Sequence, residues 1–318
     1  MNPSVLDTVR DITQPPSLVG LLLLFACVGV GFGLLETLRP AVRRRWVRPG
    51  LLVDVTYWFF TPIFTKSLTT LLIVAAAFAL YLPLGWPLTT EALDGFGPVR
   101  EQPLWLQVLE MLIIADFIGY WIHRLFHGER LWKVHAVHHS PTQLDWLSAY
   151  RMHPFNDAVA RIAQVMPQLL LGFSPKVLIP YVPFIVLYVV FLHSNVRCPF
   201  GWFRFVLVSP AYHRWHHTSD EEGLDCNFAT MFPIWDIAFG TCHMPTDREP
   251  IKFGVKDNAV PLSFVGQMLH PFGWNREPAQ ADMLEGRLPE VSHFAASGRD
   301  INLETAGCQM CLPEKSSW

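Results

Sequence analysis

Charged residues make up only 16% of this 318-residue chain, against about 25% in an ordinary soluble domain. The shortage argues against a soluble globular enzyme. With 24 Lys and Arg against 27 Asp and Glu, the formal net charge of -3 leaves no basic face for counterion release, which excludes nucleic acid as an expected partner. The six cysteines, Cys27, Cys198, Cys226, Cys242, Cys308 and Cys311, are too sparse for a disulfide framework and point to a reducing compartment. Cys308 and Cys311 form a C-x-x-C, but no βαβ setting or second pair accompanies it, so it is assigned no role. Internal repeats and low-complexity tracts are absent as well.

What the chain has in abundance is apolar sequence, at 51%, and histidine, at 13 residues, most of them clustered. The apolar run Leu18 to Leu38 is long enough to cross a bilayer, and its basic cluster follows it, which fits a membrane anchor and not a cleavable signal peptide. Leu51 to Pro83 reads as one tilted span with Asp54 and Pro62 partly at the interface, and Leu104 to Ile122 as a third. Arg39, Arg43, Arg44, Arg45 and Arg48 after the first span should face the cytoplasm. The loop with Glu91, Asp94, Arg100 and Glu101 then lies outside, and Arg124, Arg130 and Lys133 lie inside again.

Ala158 to Phe173 and Lys176 to Leu192 are shorter apolar stretches separated by Gly172, Ser174 and Pro175. Histidine clusters flank the pair, so a shared metal site would require an even number of crossings between them. A membrane hairpin over 158–192 satisfies that requirement; one long kinked span is the alternative.

His123 and His127 stand at i and i+4; His135, His138 and His139 stand at i, i+3 and i+4, and His213, His216 and His217 repeat that pattern. On helices each set shares a face. His153 and His193 sit at the ends of the hairpin and could join them. Imidazole is a neutral, borderline ligand, and one zinc needs only about four ligands, so this pool can enclose two divalent cations. His243, His270 and His293 lack cluster partners.

The segments HRLFH, HAVHHS and HRWHH, with the intervening HSN, resemble the histidine boxes of the fatty acid hydroxylase and sterol desaturase superfamily, over roughly Asp116 to Thr241. The approach Asp116, Tyr120, Trp121, His123 resembles the family pattern, as do the closing Asp225, Asn227, Trp235, Asp236, Phe239, Gly240 and Thr241. Ala229 stands where many members have glycine.

The resemblance implies an integral-membrane oxygenase with a histidine-ligated non-haem di-iron centre and O2 as co-substrate. It also implies His123, His127, His135, His138, His139, His153, His193, His213, His216 and His217 as the ligand pool. Hydroxylation of a fatty acyl or sterol-like C–H bond is the leading expectation; desaturation and cleavage of alkylglycerol ethers with a pterin cofactor are its relatives. No G-x-G-x-x-G in a strand-to-helix setting and no HPGG haem motif is found, so electrons are expected from a separate reductase with ferredoxin or cytochrome b5. A divalent-metal transporter or buffer is the reading from another class, and it would need ligands along a transmembrane path.

Asp116, a carboxylate in an apolar span two turns before His123, is the expected catalytic residue, pointing at the site. Asp145, Asn195, Asp225, Asn227 and Asp236 could orient ligands or simply shape turns. Basic residues at the boxes, including Arg151 and Arg214, fit the topology rule as well as they fit an electron carrier. The expected architecture is an all-α polytopic membrane protein with a helical, cytosolic, histidine-rich cap over the spans. It divides into anchor spans at 1–103, a catalytic region at 104–274 and a loose tail at 275–318, with Pro261 to Trp274 as an interfacial helix. A bacterial inner membrane is the expected location, with the endoplasmic reticulum as the other.

Overall fold

The computed structural model describes residue 14 and residues 16–43, 45–81, 95–255 and 260–273. Arg44, Pro83, Glu91, Asp94, Trp274, His293, Cys308, Cys311 and the tail 275–318 lie outside the described residues. The described residues form helices, turns and isolated bridges, with no strand among them.

Helix α1 (Leu18–Leu38) is long and apolar enough to cross a bilayer, and its side chains are exposed nearly all round. Ser17 caps it by accepting from the Gly20 amide. Next come α2 (Leu51–Phe60), a π-helical turn (Thr61–Thr65) and α3 (Lys66–Tyr81), continuous with one another, of which Leu51–Ala79 is long and apolar enough for one crossing. A short α4 (Gly97–Arg100) precedes α5 (Leu104–Phe126), the third such helix.

Helix α6 (Glu129–His139) carries the second histidine box. Then α7 (Pro154–Leu171) and α8 (Pro175–His193) form a helical hairpin, reversing at Gly172, whose φ of 94° suits glycine. A Cβ on Gly172 would collide with the Phe96 carbonyl. The arms splay: α7 packs on α5 and α3, while α8 packs on α5 and on α9 (Pro210–His216), which carries the third box. Because Asn156 at the start of α7 bonds His135 and His193 ends α8 against His138, both ends of the hairpin reach one place. Two small helices, α10 (Ile234–Ala238) and α11 (Phe264–Leu269), complete the described chain. The latter falls inside the expected interfacial segment, with Phe264 on Tyr57 and Phe60 and with Val265 and Phe272 exposed.

Two residues read for membrane topology also have structural roles. Asp54 is fully buried and Arg48 is 5% exposed. Asp54 lies between Arg48 (2.6 Å) and Arg151 (2.6 Å), and Arg48 also grips Asp145 through two bonds of 2.7 Å. Gly50 (φ 78°) makes room for this cluster, since a Cβ there would meet the Arg151 guanidinium. Glu36 of α1 accepts the amides of Trp146 and Asn195, tying the first helix to the loop after box two and to the HSN segment.

Candidate metal centre

Nine of the ten candidate histidines converge in two adjoining groups. His123, His127, His135, His139 and His216 form one, and His138, His193, His213 and His217 form the other; within each, the ligand nitrogens lie within 4.8 Å of one another. Each triple box is shared between the groups. The i and i+4 members, His135 with His139 and His213 with His217, stay together, while the i+3 members, His138 and His216, cross to the opposite group. His139 and His217 stack at 4.3 Å across the seam.

In six of the nine rings the outer nitrogen is held by the protein. His123 Nδ1 donates to the Phe228 carbonyl (2.7 Å), His138 Nδ1 to Arg151 (3.0 Å), His193 Nδ1 to Val189 (2.9 Å) and His216 Nδ1 to Cys226 (2.8 Å). His135 Nδ1 bonds Asn156 Oδ1 (2.8 Å), and His127 Nδ1 bonds Asp225 (2.9 Å). A carbonyl can only accept, so the Nε2 atoms of His123, His138, His193 and His216 are bare lone pairs.

The Nε2 atoms of His138 and His193 nevertheless face each other at 3.2 Å, and those of His123 and His135 at 3.1 Å. With no proton to share, each pair repels unless a cation lies between. Nitrogens bound to one cation at about 2.1 Å would stand about 3.0–3.4 Å apart at octahedral or tetrahedral angles. The buried Nε2 atoms of His127 and His216 also lack protein partners. Burial, with neighbouring imidazoles adding to it, pushes His135, His138, His139, His213, His216 and His217 well below the ordinary histidine range, so they are neutral and able to ligate. The donor set fits two neighbouring divalent ions of the kind imidazole binds.

Two expected site residues have other employment. His153 is in neither group: its Nδ1 accepts the Phe155 amide as the cap of α7, and its Nε2 meets the Met268 carbonyl at 3.2 Å. A ring whose nitrogens are used this way shapes a helix start. Replacing His153 with alanine should leave metal content unchanged and cost about 0.5–2 kcal/mol of stability, measured by thermal unfolding beside metal analysis.

Asp116 does not aim at the histidines. Its carboxylate accepts the amides of Thr230, Met231 and Phe232 and the Trp235 indole N–H, at 2.8 to 3.2 Å. These bonds hold the loop beyond Phe228, the residue that anchors His123, so Asp116 positions a ligand indirectly. Asp116→Ala should cost about 2–4 kcal/mol by stranding those donors, read as a lower unfolding midpoint and weaker metal retention.

Among the weaker candidates, Asp225 and Asn227 adopt left-handed backbone (φ 53° and 58°), which Asx residues tolerate. Asp225 then bonds His127, and Asn227 clasps Tyr212 and His243. Asp236 receives the Phe228 and Ala229 amides and the hydroxyls of Tyr212 and Thr241. Ala229 is absent from the left-handed residues, so the turn does not need glycine there. Asn195 braces Val42 in both directions, and Asp145 holds Arg48.

A cavity of about 230 Å³ opens beside the cage, lined by His123, His135, His138, His193 and His213 and continuing between the splayed arms along Ile122, Gln164, Val186 and Val189.

The fold and the site define a helical protein with three helices long and apolar enough to cross a membrane and a histidine cage suited to two adjacent metal ions. Residues 108–241 match the model of the fatty acid hydroxylase family. The chain is 32% identical over 175 residues to ornithine lipid hydroxylase OlsE of Rhizobium tropici, covering 54% of this chain and 52% of that protein. It is 30% identical over 142 residues to the alkylglycerol monooxygenase of Homo sapiens, covering 44% and 31% respectively. A very-long-chain aldehyde decarbonylase, GL1-10 of Oryza sativa subsp. japonica, is 30% identical over 143 residues, covering 42% and 46%. The chain thus spans about half the length of these relatives or less. No solved structure matches it.

Proposed function

We propose that the protein is an integral-membrane di-iron oxygenase that hydroxylates a C–H bond of a lipid, with O2 as oxidant and two electrons from a separate carrier. The observation that carries this reading is the pair of opposed Nε2 atoms without protons in each histidine group, His138 with His193 and His123 with His135. Two iron ions held there would supply the redox chemistry for attacking an unactivated C–H bond, which acid and base catalysis cannot reach.

The chain's own residues do the rest. Asn156, Asp225 and the carbonyls of Arg151, Val189, Cys226 and Phe228 fix the tautomer and direction of six of the nine rings. The cavity between α5, α7 and α8 admits an acyl chain from the lipid side and presents it to the cage in a largely apolar setting. Arg39, Arg43 and Arg45 after α1 support a cytoplasmic site, within reach of a ferredoxin or cytochrome b5 and its reductase, at a bacterial inner membrane or the endoplasmic reticulum. The transporter alternative needs ligands along a transmembrane path, whereas nine histidines gather in one cage.

The test uses full-length, iron-loaded protein in lipid vesicles with a chemical reductant and labelled O2. The expected product is a lipid carrying one labelled oxygen. Lipid that loses two hydrogens without gaining label would instead mark a desaturase, and release of a fatty aldehyde would mark ether cleavage. Metal flux with no oxidised lipid would overturn the reading.

A further inference from the structure

The cavity that meets the histidines also carries charged side chains with no part in holding metal: Lys66, Asp157 and Arg161, beside Thr61 and Gln164. Asp157 and Arg161 pair with each other at 2.7 Å. Lys66 is half-buried and, among the described residues, has no ion pair or hydrogen bond of its own. An ammonium within a membrane-spanning helix is costly, and such residues face the bundle interior and mark substrate paths. Thr61, 5% exposed, lines the same wall with a hydroxyl that also lacks a partner.

The backbone brings these two together. In an α-helix, residues five apart lie about 140° around the axis from one another. The segment Thr61–Thr65 is instead a π turn closed by the Lys66 amide on the Thr61 carbonyl, so the i and i+5 side chains share a face. Turns of this type are rare and concentrate at functional positions.

Depth follows from α7. Asn156 bonds His135 of the cage, and Arg161 is five residues further on, about 7.5 Å along the helix at 1.5 Å per residue. We propose that Lys66 and Thr61, with Arg161 beside them, bind an anionic lipid head group, a carboxylate or a phosphate, while the attached chain reaches the histidines. The short run from Arg161 to the cage directs oxidation to carbons near the head group and not to the far end of the chain. This proposal rests on the cavity being the substrate site of the oxygenase just described.

The test measures binding, with no turnover. Full-length protein carrying its metal, kept free of O2 in a neutral detergent, is titrated calorimetrically with dodecyl phosphate, dodecanoate and dodecanol. At least one anion should bind ten-fold or more tighter than the alcohol. The preferred anion identifies phosphate or carboxylate as the head group. Lys66→Gln should abolish the preference and Lys66→Arg should keep it. Equal affinity of the wild-type protein for all three probes overturns the proposal, and so does an unchanged preference in Lys66→Gln. The wild-type comparison stands even if a variant fails to fold. Because no oxidation is required, an intact anion preference alongside a failed hydroxylation assay would count against the oxygenase reading alone.

Discussion

Replacing His138 with alanine is expected to abolish turnover and lower the metal content, while the protein still inserts into membranes and elutes as a folded species. His138 is the member of its box that crosses into the group of His193, His213 and His217, so its loss leaves that group with three imidazoles. It also removes one side of the opposed pair with His193. His216→Ala should likewise abolish turnover and lower the metal content, because His216 makes the matching crossing from α9 and its loss takes the other group from five imidazoles to four. A loss of about 1,000-fold or more in rate is anticipated for either variant, since residues that act as one unit fail together. Metal analysis beside an activity assay checks both, and unchanged activity in the two variants would remove the functional reading.

The second large effect is structural. Asp54→Ala should prevent accumulation of folded protein, because it leaves the guanidinium groups of Arg48 and Arg151 facing each other in a buried site. Breaking such a buried cluster by removing one partner costs about 3–5 kcal/mol, a large part of the stability of a typical domain. The effect should extend to the cage, since Arg151 supplies the carbonyl that orients His138 and also donates to Ser140. Fluorescence-detected size exclusion and thermal unfolding in detergent measure it, and a wild-type midpoint would show that the cluster contributes little.

The contrast between these variants shows what was legible in the sequence. The box histidines announce themselves through i, i+3, i+4 spacing, and hydropathy marks Leu18–Leu38 and Leu104–Phe126 as possible crossings. The parity requirement between flanking histidine clusters favours a hairpin, and the chain reverses at Gly172. Spacing does not reveal that the i+3 histidine of each triple serves the opposite group, because that depends on how α6 and α9 face one another.

Supporting residues are harder to read from sequence. Arg48 pairs with Asp145, and Arg151 with Asp54, each across 97 residues of chain. Locally, Arg48 looks like a topology signal and Asp54 like an interfacial acid. Asp116 invites a catalytic reading because a carboxylate in an apolar helix needs a partner; here that partner is the backbone of Thr230 to Phe232. His153 before Pro154 fits a cap as well as a ligand, and the cap is what forms. Anchor and catalytic segments are likewise joined, since Glu36, Arg48 and Asp54 brace the loops that carry the boxes.

The most direct test is the iron content of full-length protein reconstituted anaerobically with ferrous ion and freed of excess metal. The two histidine groups predict two irons per chain, with the iron lowered in both His138→Ala and His216→Ala. Wild-type protein that retains one iron or none under those conditions would contradict the paired-metal account.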